Sequence, residues 1–238
     1  MSEWFGSRAD SLPLGGLRVE IRPLMRNVYL WMFFGLLVTT VISLITVNTP
    51  AILELAFNRV IFFGAIIAEF ALVIALGAAL RRMSPGMAMA MFIGYAALNG
   101  FTLSLIFLVY DLGAISNAFL TTAFLFAAMS AIGYFTEIDL SRYSSYLIMG
   151  LIGLIIASVV NLFLRSSGFD FLISLFGVVL FTALTAYDTQ KLKMLAADPT
   201  IGADGSIMLK LSIYGALTLY LDFINLFLFL LRLFGRRN

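Results

Sequence analysis

Hydrophobic positions fall into long uninterrupted runs separated by short polar stretches. The clear runs are Val28–Val47, Val60–Leu80, Met87–Tyr110, Gly113–Phe135, Ser145–Leu164 and Phe171–Tyr187. Each is near the ~20 residues that a helix needs to cross a bilayer core. A seventh, mixed run from near Tyr214 to near Phe234 holds Asp222 and Arg232. The longest connection, Thr189–Ile213, contains ADPTIGADG, a loop by composition. Backbone groups in hydrocarbon must be satisfied within their own segment, so runs this apolar are helices. The pattern predicts an all-α polytopic membrane bundle of seven transmembrane helices. Residues 27–238 read as one domain, without internal repeat or boundary, behind a cytoplasmic tail of residues 1–26.

Composition strengthens this reading. Hydrophobic residues make up 62% of the chain and charged residues 12%, with a mean hydropathy of +1.04. A soluble domain of this length cannot hide so much apolar surface. The net charge of +2 and the lack of a basic, aromatic-interleaved face give no case for nucleic acid. With neither Cys nor His, disulfides, thiolate or imidazole metal sites and Ser-His-Asp machinery are excluded.

Charge in the connections sets an orientation. Arg8, Arg18, Arg22 and Arg26 precede the first run, and Arg81, Arg82, Arg142, Lys191, Lys193 and Lys210 follow in alternate connections. The other side carries Arg59 and Arg165. The expectation is a multi-pass protein of the plasma (inner) membrane with its N-terminus in the cytoplasm. The first 26 residues lack the apolar core and cleavage site of a signal peptide. Arg232, Arg236 and Arg237 near the C-terminus run against seven crossings, whereas the length of Tyr214–Phe234 favours them.

Three ionisable residues interrupt the apolar runs: Glu69, Asp188 and Asp222. An ionisable group inside a span is expensive and a functional candidate by default. At helical spacing Asp222 shares a face with Thr218 and Asn225. The sixth run has a line of Ser174, Gly177, Thr185 and Asp188, broken by Phe181. If Asp188 and Asp222 meet, two carboxylates in a poorly hydrated site cannot both ionise cheaply. One keeps a proton, and a cation competes for the same place. Arg81 and Arg82, ending the second run, are the nearest counter-ions on that side. Plainer roles stand beside these. Asp188 also fits a helix exit, Asp222 and Glu69 structural hydrogen bonds, and Asn99, Asn161 and Asn225 bonds between helices. Glu137 and Asp139 read as a solvated loop.

The stretch DFLISLFGVVLFTALTAYDTQKLK resembles the signature segment of the Bax inhibitor-1 family, through aromatic-Thr-x-Leu-x-x-Tyr-Asp-Thr-Gln-Lys. ALTLYLDFINLFLFLLRLFG resembles that family's C-terminal helix, and Asp139–Ser141 with Ser145–Gly150 also fits. Glu69 with Arg81 and Arg82 fits more loosely. The resemblance covers the chain from about Arg22 and points to the bacterial branch. It implies six helices around a central C-terminal one and a pH-sensitive calcium leak. It also implies a hydrogen-bonded aspartate dyad at Asp188 and Asp222, and an arginine latch at Arg81 or Arg82.

The leading expectation is therefore a passive cation pathway, with Ca²⁺ as permeant ion and no resident cofactor. Protonation of Asp188 and Asp222 gates it, and the same carboxylates hold Ca²⁺ weakly and transiently. Glu69, Thr185, Thr218 and Asn225 line the pore or polar stripe. No Gly-rich phosphate loop supplies energy. The expected partners are the bilayer and calcium. The alternative is a non-transporting regulator that binds a membrane protease or a stress or cell-death factor. An aspartyl intramembrane hydrolase is a third reading, but LYLDF lacks the Gly-x-Gly before its aspartate.

Overall fold

In the computed structural model, the described residues are 21–80, 82–197 and 205–235. They form α1 (Ile21–Asn48), α2 (Pro50–Phe57), α3 (Arg59–Ala79), α4 (Pro85–Leu103), α5 (Ile106–Val109) and α6 (Leu112–Phe135). A 3-10 turn at Leu140–Tyr143 leads into α7 (Ser144–Leu164), followed by α8 (Ser167–Ala196) and α9 (Gly205–Phe234). Among the described residues, seven helical segments are long and apolar enough to cross a bilayer, with α4 and α5 sharing one of them as Pro85–Val109. The tail, apart from its last residues, and most of ADPTIGADG lie outside the described residues.

Polar residues mark the helix boundaries. Asn58 starts α3 by accepting from the amides of Val60 and Ile61 at 3.0 and 3.3 Å. Ser84 accepts from the amide of Met87 at the start of α4, with Pro85 at its first position. Asp111 caps α6 through the amide of Ala114. These side chains satisfy donors that the first helical turn leaves orphaned. Arg165 ends α7 in the left-handed region at φ 50°, and Ser166 at once caps α8.

Two sequence boundaries move. The sixth run was expected to end at Tyr187, yet α8 continues to Ala196, which places Asp188 two turns inside the helix. Likewise α9 begins at Gly205, not near Tyr214. Thr189–Ala196 and Gly205–Ile213 look polar enough to be loop, but the bundle packs them: Leu192 and Ile213 are buried in one core cluster. Short α2, between the first two runs, was not expected.

α9 is the central helix, packed by α8, α1, α6 and α4. Ile213, Ala216, Leu219, Tyr220 and Leu226 are fully covered. Its first half shares a cluster with α1 and α4, and Leu226–Leu231 shares another with α6, α7 and α8. α7 is different. Among the long helices it packs chiefly on α8, and Ile148, Ile152, Ile155, Val159 and Phe163 on it are exposed, as lipid-facing residues are.

Candidate functional site

From Leu211 to Arg232, every residue of α9 is buried except positions 211, 214, 218, 221, 225, 228 and 232. That alternating spacing of three and four describes one face of a helix. The bundle therefore covers α9 all round apart from one stripe. Thr218, Asn225 and Arg232 fall on it at seven-residue intervals. The Thr218 hydroxyl donates to the Tyr214 carbonyl, and the Asn225 amide donates to that of Leu221 at 2.8 Å. The Thr218 donor and one of the two Asn225 N–H groups are thus spent inside α9. Asn225 was expected to bond between helices; its donor bond instead stays within its own.

Asp222 sits beside this stripe and is buried. Its carboxyl lies within interaction range of that of Asp188 on α8, while its Oδ2 is buried without a hydrogen-bond partner. The line of small and polar residues on α8 brings the helices together here. Gly177 leaves room for Phe229: a Cβ at 177 would lie 2.7 Å from the ring. Phe181 stacks on the same ring with centroids 5.8 Å apart. The aromatic pair and the carboxyl pair thus occupy one α8–α9 seam. Thr185 is buried between them along α8 and donates to the Phe181 carbonyl. Ser174, further along the seam, has a buried hydroxyl with no partner.

Glu69 is not at this pair. It accepts from Thr102 at 2.8 Å and from the Asn99 amide at 3.5 Å. The Asn99 oxygen accepts from the Tyr220 hydroxyl at 3.1 Å, and that hydroxyl meets Thr39 Oγ1 at 2.6 Å. The Thr39 hydroxyl also lies 2.9 Å from the Ala96 carbonyl, so its single proton goes either there or to Tyr220. This chain ties α1, α3, α4 and α9 together inside the membrane. Tyr220 and Asp222 are two residues apart, about 200° around the helix, so the two polar systems lie on opposite sides of α9.

Arg82 is exposed, and among the described residues no ion pair joins it to Asp188 or Asp222; Arg81 lies outside them. Lys191 lies over the Tyr187 ring at 5.9 Å. Glu137 and Asp139 in the α6–α7 connection are exposed, as a solvated loop requires. Asp139 accepts from the Ser141 amide at 2.9 Å, and its bonds to Ser141 hold the carboxyl below the usual carboxylate range. Asn161 caps the α7–α8 corner, accepting from the Ser166 amide, instead of bridging helices. Among the described residues no three acidic, His or Cys side chains gather as a metal site.

The family model described as "Inhibitor of apoptosis-promoting Bax1" matches residues 21–238. The chain belongs to the Bax inhibitor-1 family. Inner membrane protein YbhL of Escherichia coli is 47% identical over 234 residues, covering 97% of this chain and 98% of YbhL. A Borreliella burgdorferi protein is 46% identical over 215 residues, covering 90% and 92% of the two chains. One from Rickettsia prowazekii is 44% identical over 220 residues, covering 92% and 91%. Like YbhL, this Bax inhibitor-1 protein is a multi-pass inner-membrane protein.

Several contacts of this Bax inhibitor-1 chain escaped the sequence. Thr39 and Tyr220 are ordinary residues in apolar runs, and no local signal marks them as partners 181 residues apart. Lys193 was expected only as a basic residue of a connection and Gln190 was not singled out, but both reach across to α6 and its connection. Their spacing after Asp188 was the available signal, and it is readable only once α8 is known to continue.

Proposed function

We propose that this protein is a passive, pH-sensitive cation leak of the inner membrane, with Ca²⁺ as cargo and the Asp188–Asp222 pair as its gate. One observation carries the reading: the two carboxyls lie together in the α8–α9 seam, and Asp222 keeps one buried oxygen unpartnered. Two carboxyl groups brought together away from water favour a proton on one of them. Losing that proton leaves two like charges in contact and drives them apart or draws in a cation. The neighbouring stripe suits such an ion. Thr218 and Asn225 give their donors to α9 carbonyls, so their oxygens retain lone pairs for a hard cation. Two carboxylates are fewer oxygens than tight Ca²⁺ binding requires, and weak binding favours conduction.

In this reading the N-terminus and the basic connections are cytoplasmic. Glu69 holds α3 through Thr102 and Asn99, and Thr185 belongs to the seam. Arg81 or Arg82 serves as the latch, which requires the α3–α4 turn to swing toward the pair. The test is Ca²⁺ flux into proteoliposomes across pH. Asp188→Asn and Asp222→Asn should each abolish the pH dependence. If neither changes the flux or its pH profile, the gate is elsewhere.

A second reading, a non-transporting regulator, draws on α7. Its outer face is bare apolar surface, and a Cβ at Gly153 would meet nothing within 4 Å, so a partner helix can approach closely there. Absence of flux together with a co-purifying membrane protein that α7 substitutions release would favour it.

A further inference from the structure

The turns of α8 around Asp188 hold α6 and its connection on the side away from Asp222. The Gln190 amide donates to the Ile138 carbonyl at 2.8 Å, and its oxygen accepts from the Leu140 amide at 2.8 Å. One side chain thus satisfies both a donor and an acceptor of the α6–α7 connection. A turn later, Lys193 donates to the Tyr134 carbonyl in the last turn of α6 at 2.6 Å and lies over the Tyr134 ring. A cation there also complements the negative end of the α6 dipole. Just before Asp188, Gly133 of α6 packs on Ala186 so closely that a Cβ would lie 2.9 Å from the Ala186 Cα.

At 100° per residue, Ala186, Gln190 and Lys193 point about 140–200° away from Asp188. Asp188 faces α9, and the three opposite positions face α6 and the connection. A helix segment is stiff on this scale, because turning it would break its own ladder of hydrogen bonds. Rotating or sliding α8 to withdraw Asp188 from Asp222 therefore displaces Gln190 and Lys193 from their partners. The reverse holds as well: whatever pulls on residues 136–143 pulls on Asp188.

We propose that Gln190 and Lys193 are positioning residues that couple the α6–α7 connection to the Asp188–Asp222 contact, so that this connection regulates the gate from the basic end of the bundle. The proposal rests on the gating role given to that pair above. The charged and titratable groups on the elements packed there are Asp222, Lys210 and Tyr214 on α9, Tyr134 on α6, Glu137, Asp139, Arg142 and Tyr143 on the connection, and Arg26 and Tyr29 on α1. α8 itself adds Lys191 and Lys193, and α7 meets α8 through leucines. Of these, Asp222 and Lys191 act directly on Asp188.

The Leu140 amide, which donates to Gln190, is the reporter. Hydrogen exchange is followed on the full chain in lipid nanodiscs as a protection factor across pH, in parallel with Ca²⁺ flux in proteoliposomes. In the unaltered protein the protection of Leu140 should change with pH along the same midpoint as flux, and Asp188→Asn should make it independent of pH. Gln190→Ala should lower it about tenfold, the loss of a buried bond, and move the flux midpoint by about half a pH unit without abolishing flux. Gln190→Glu keeps the acceptor for Leu140 but cannot donate to Ile138, and should fall between. It serves if the alanine variant does not fold. Leu140 protection that ignores both pH and Asp188→Asn overturns the proposal. So does lowered protection in both Gln190 variants with an unshifted flux midpoint. A protein with no flux at any pH removes the channel reading alone; Leu140 protection that still follows pH through Asp188 then upholds the coupling.

Discussion

Tyr220→Phe isolates the hydrogen bonds of the intramembrane chain from its packing. The hydroxyl contacts Thr39 at 2.6 Å and Asn99 at 3.1 Å. The ring stands edge-on to Phe92 and Tyr95, with centroids 6.1 and 5.7 Å away, and the residue is fully buried. Phenylalanine keeps those ring contacts and removes one oxygen. Thr39 retains the Ala96 carbonyl, and Asn99 retains Glu69 through its amide. Only the Asn99 oxygen loses its tyrosine donor. Interhelical hydrogen bonds in membranes are worth roughly 0.6 kcal/mol on average and about 1.7 at most. Losing the bond to Asn99 together with the Thr39 contact, with one acceptor orphaned, therefore costs about 1–2 kcal/mol. Tyr220→Ala removes the ring as well and should cost about 3–5 kcal/mol, by analogy with other large-to-small core changes. Reversible unfolding in mixed micelles measures both, and a double-mutant cycle with Thr39→Val extracts the single bond. A Tyr220→Phe cost equal to that of Tyr220→Ala would refute the division between packing and hydrogen bonding. So would a Thr39–Tyr220 coupling indistinguishable from zero.

Gly177→Ala should destabilise the bundle by about 1–3 kcal/mol through overpacking against Phe229; Phe229→Leu in the same chain should recover part of that loss in the unfolding assay. Glu69→Leu removes the acceptor for Thr102 and Asn99 and should cost about 1–2 kcal/mol, whereas Glu69→Gln, which keeps an acceptor for Thr102, should cost less. Asp139, held below the usual carboxylate range by Ser141, stabilises its turn at pH values above that range, and the effect is lost as pH falls through its lowered value. The protection of the Ser141 amide should thus exceed that in Asp139→Ala at neutral pH and converge with it in strong acid, and an equal difference at both extremes would count against this.

The amino-acid sequence by itself determined the class, the number of candidate spans and the list of expensive polar groups. Each follows from a local cost. A run such as Val60–Leu80 has no favourable place outside lipid, and a carboxyl such as Asp222 within such a run must find protein or water. The seven-residue spacing of Thr218, Asn225 and Arg232 was likewise open to inspection. Tertiary structure decided which of these groups meet. Sequence leaves the angle of each helix about its axis open, and that angle places Asp222 against Asp188 and Glu69 against Thr102 and Asn99, on opposite sides of α9. It also decided where α8 ends. Local polarity after Tyr187 argues for a loop, but burial of Leu192 and the bonds of Gln190 and Lys193 to α6 and its connection outweigh that preference. The extra turns arise from long-range packing, which has no local signature in the residues that adopt it.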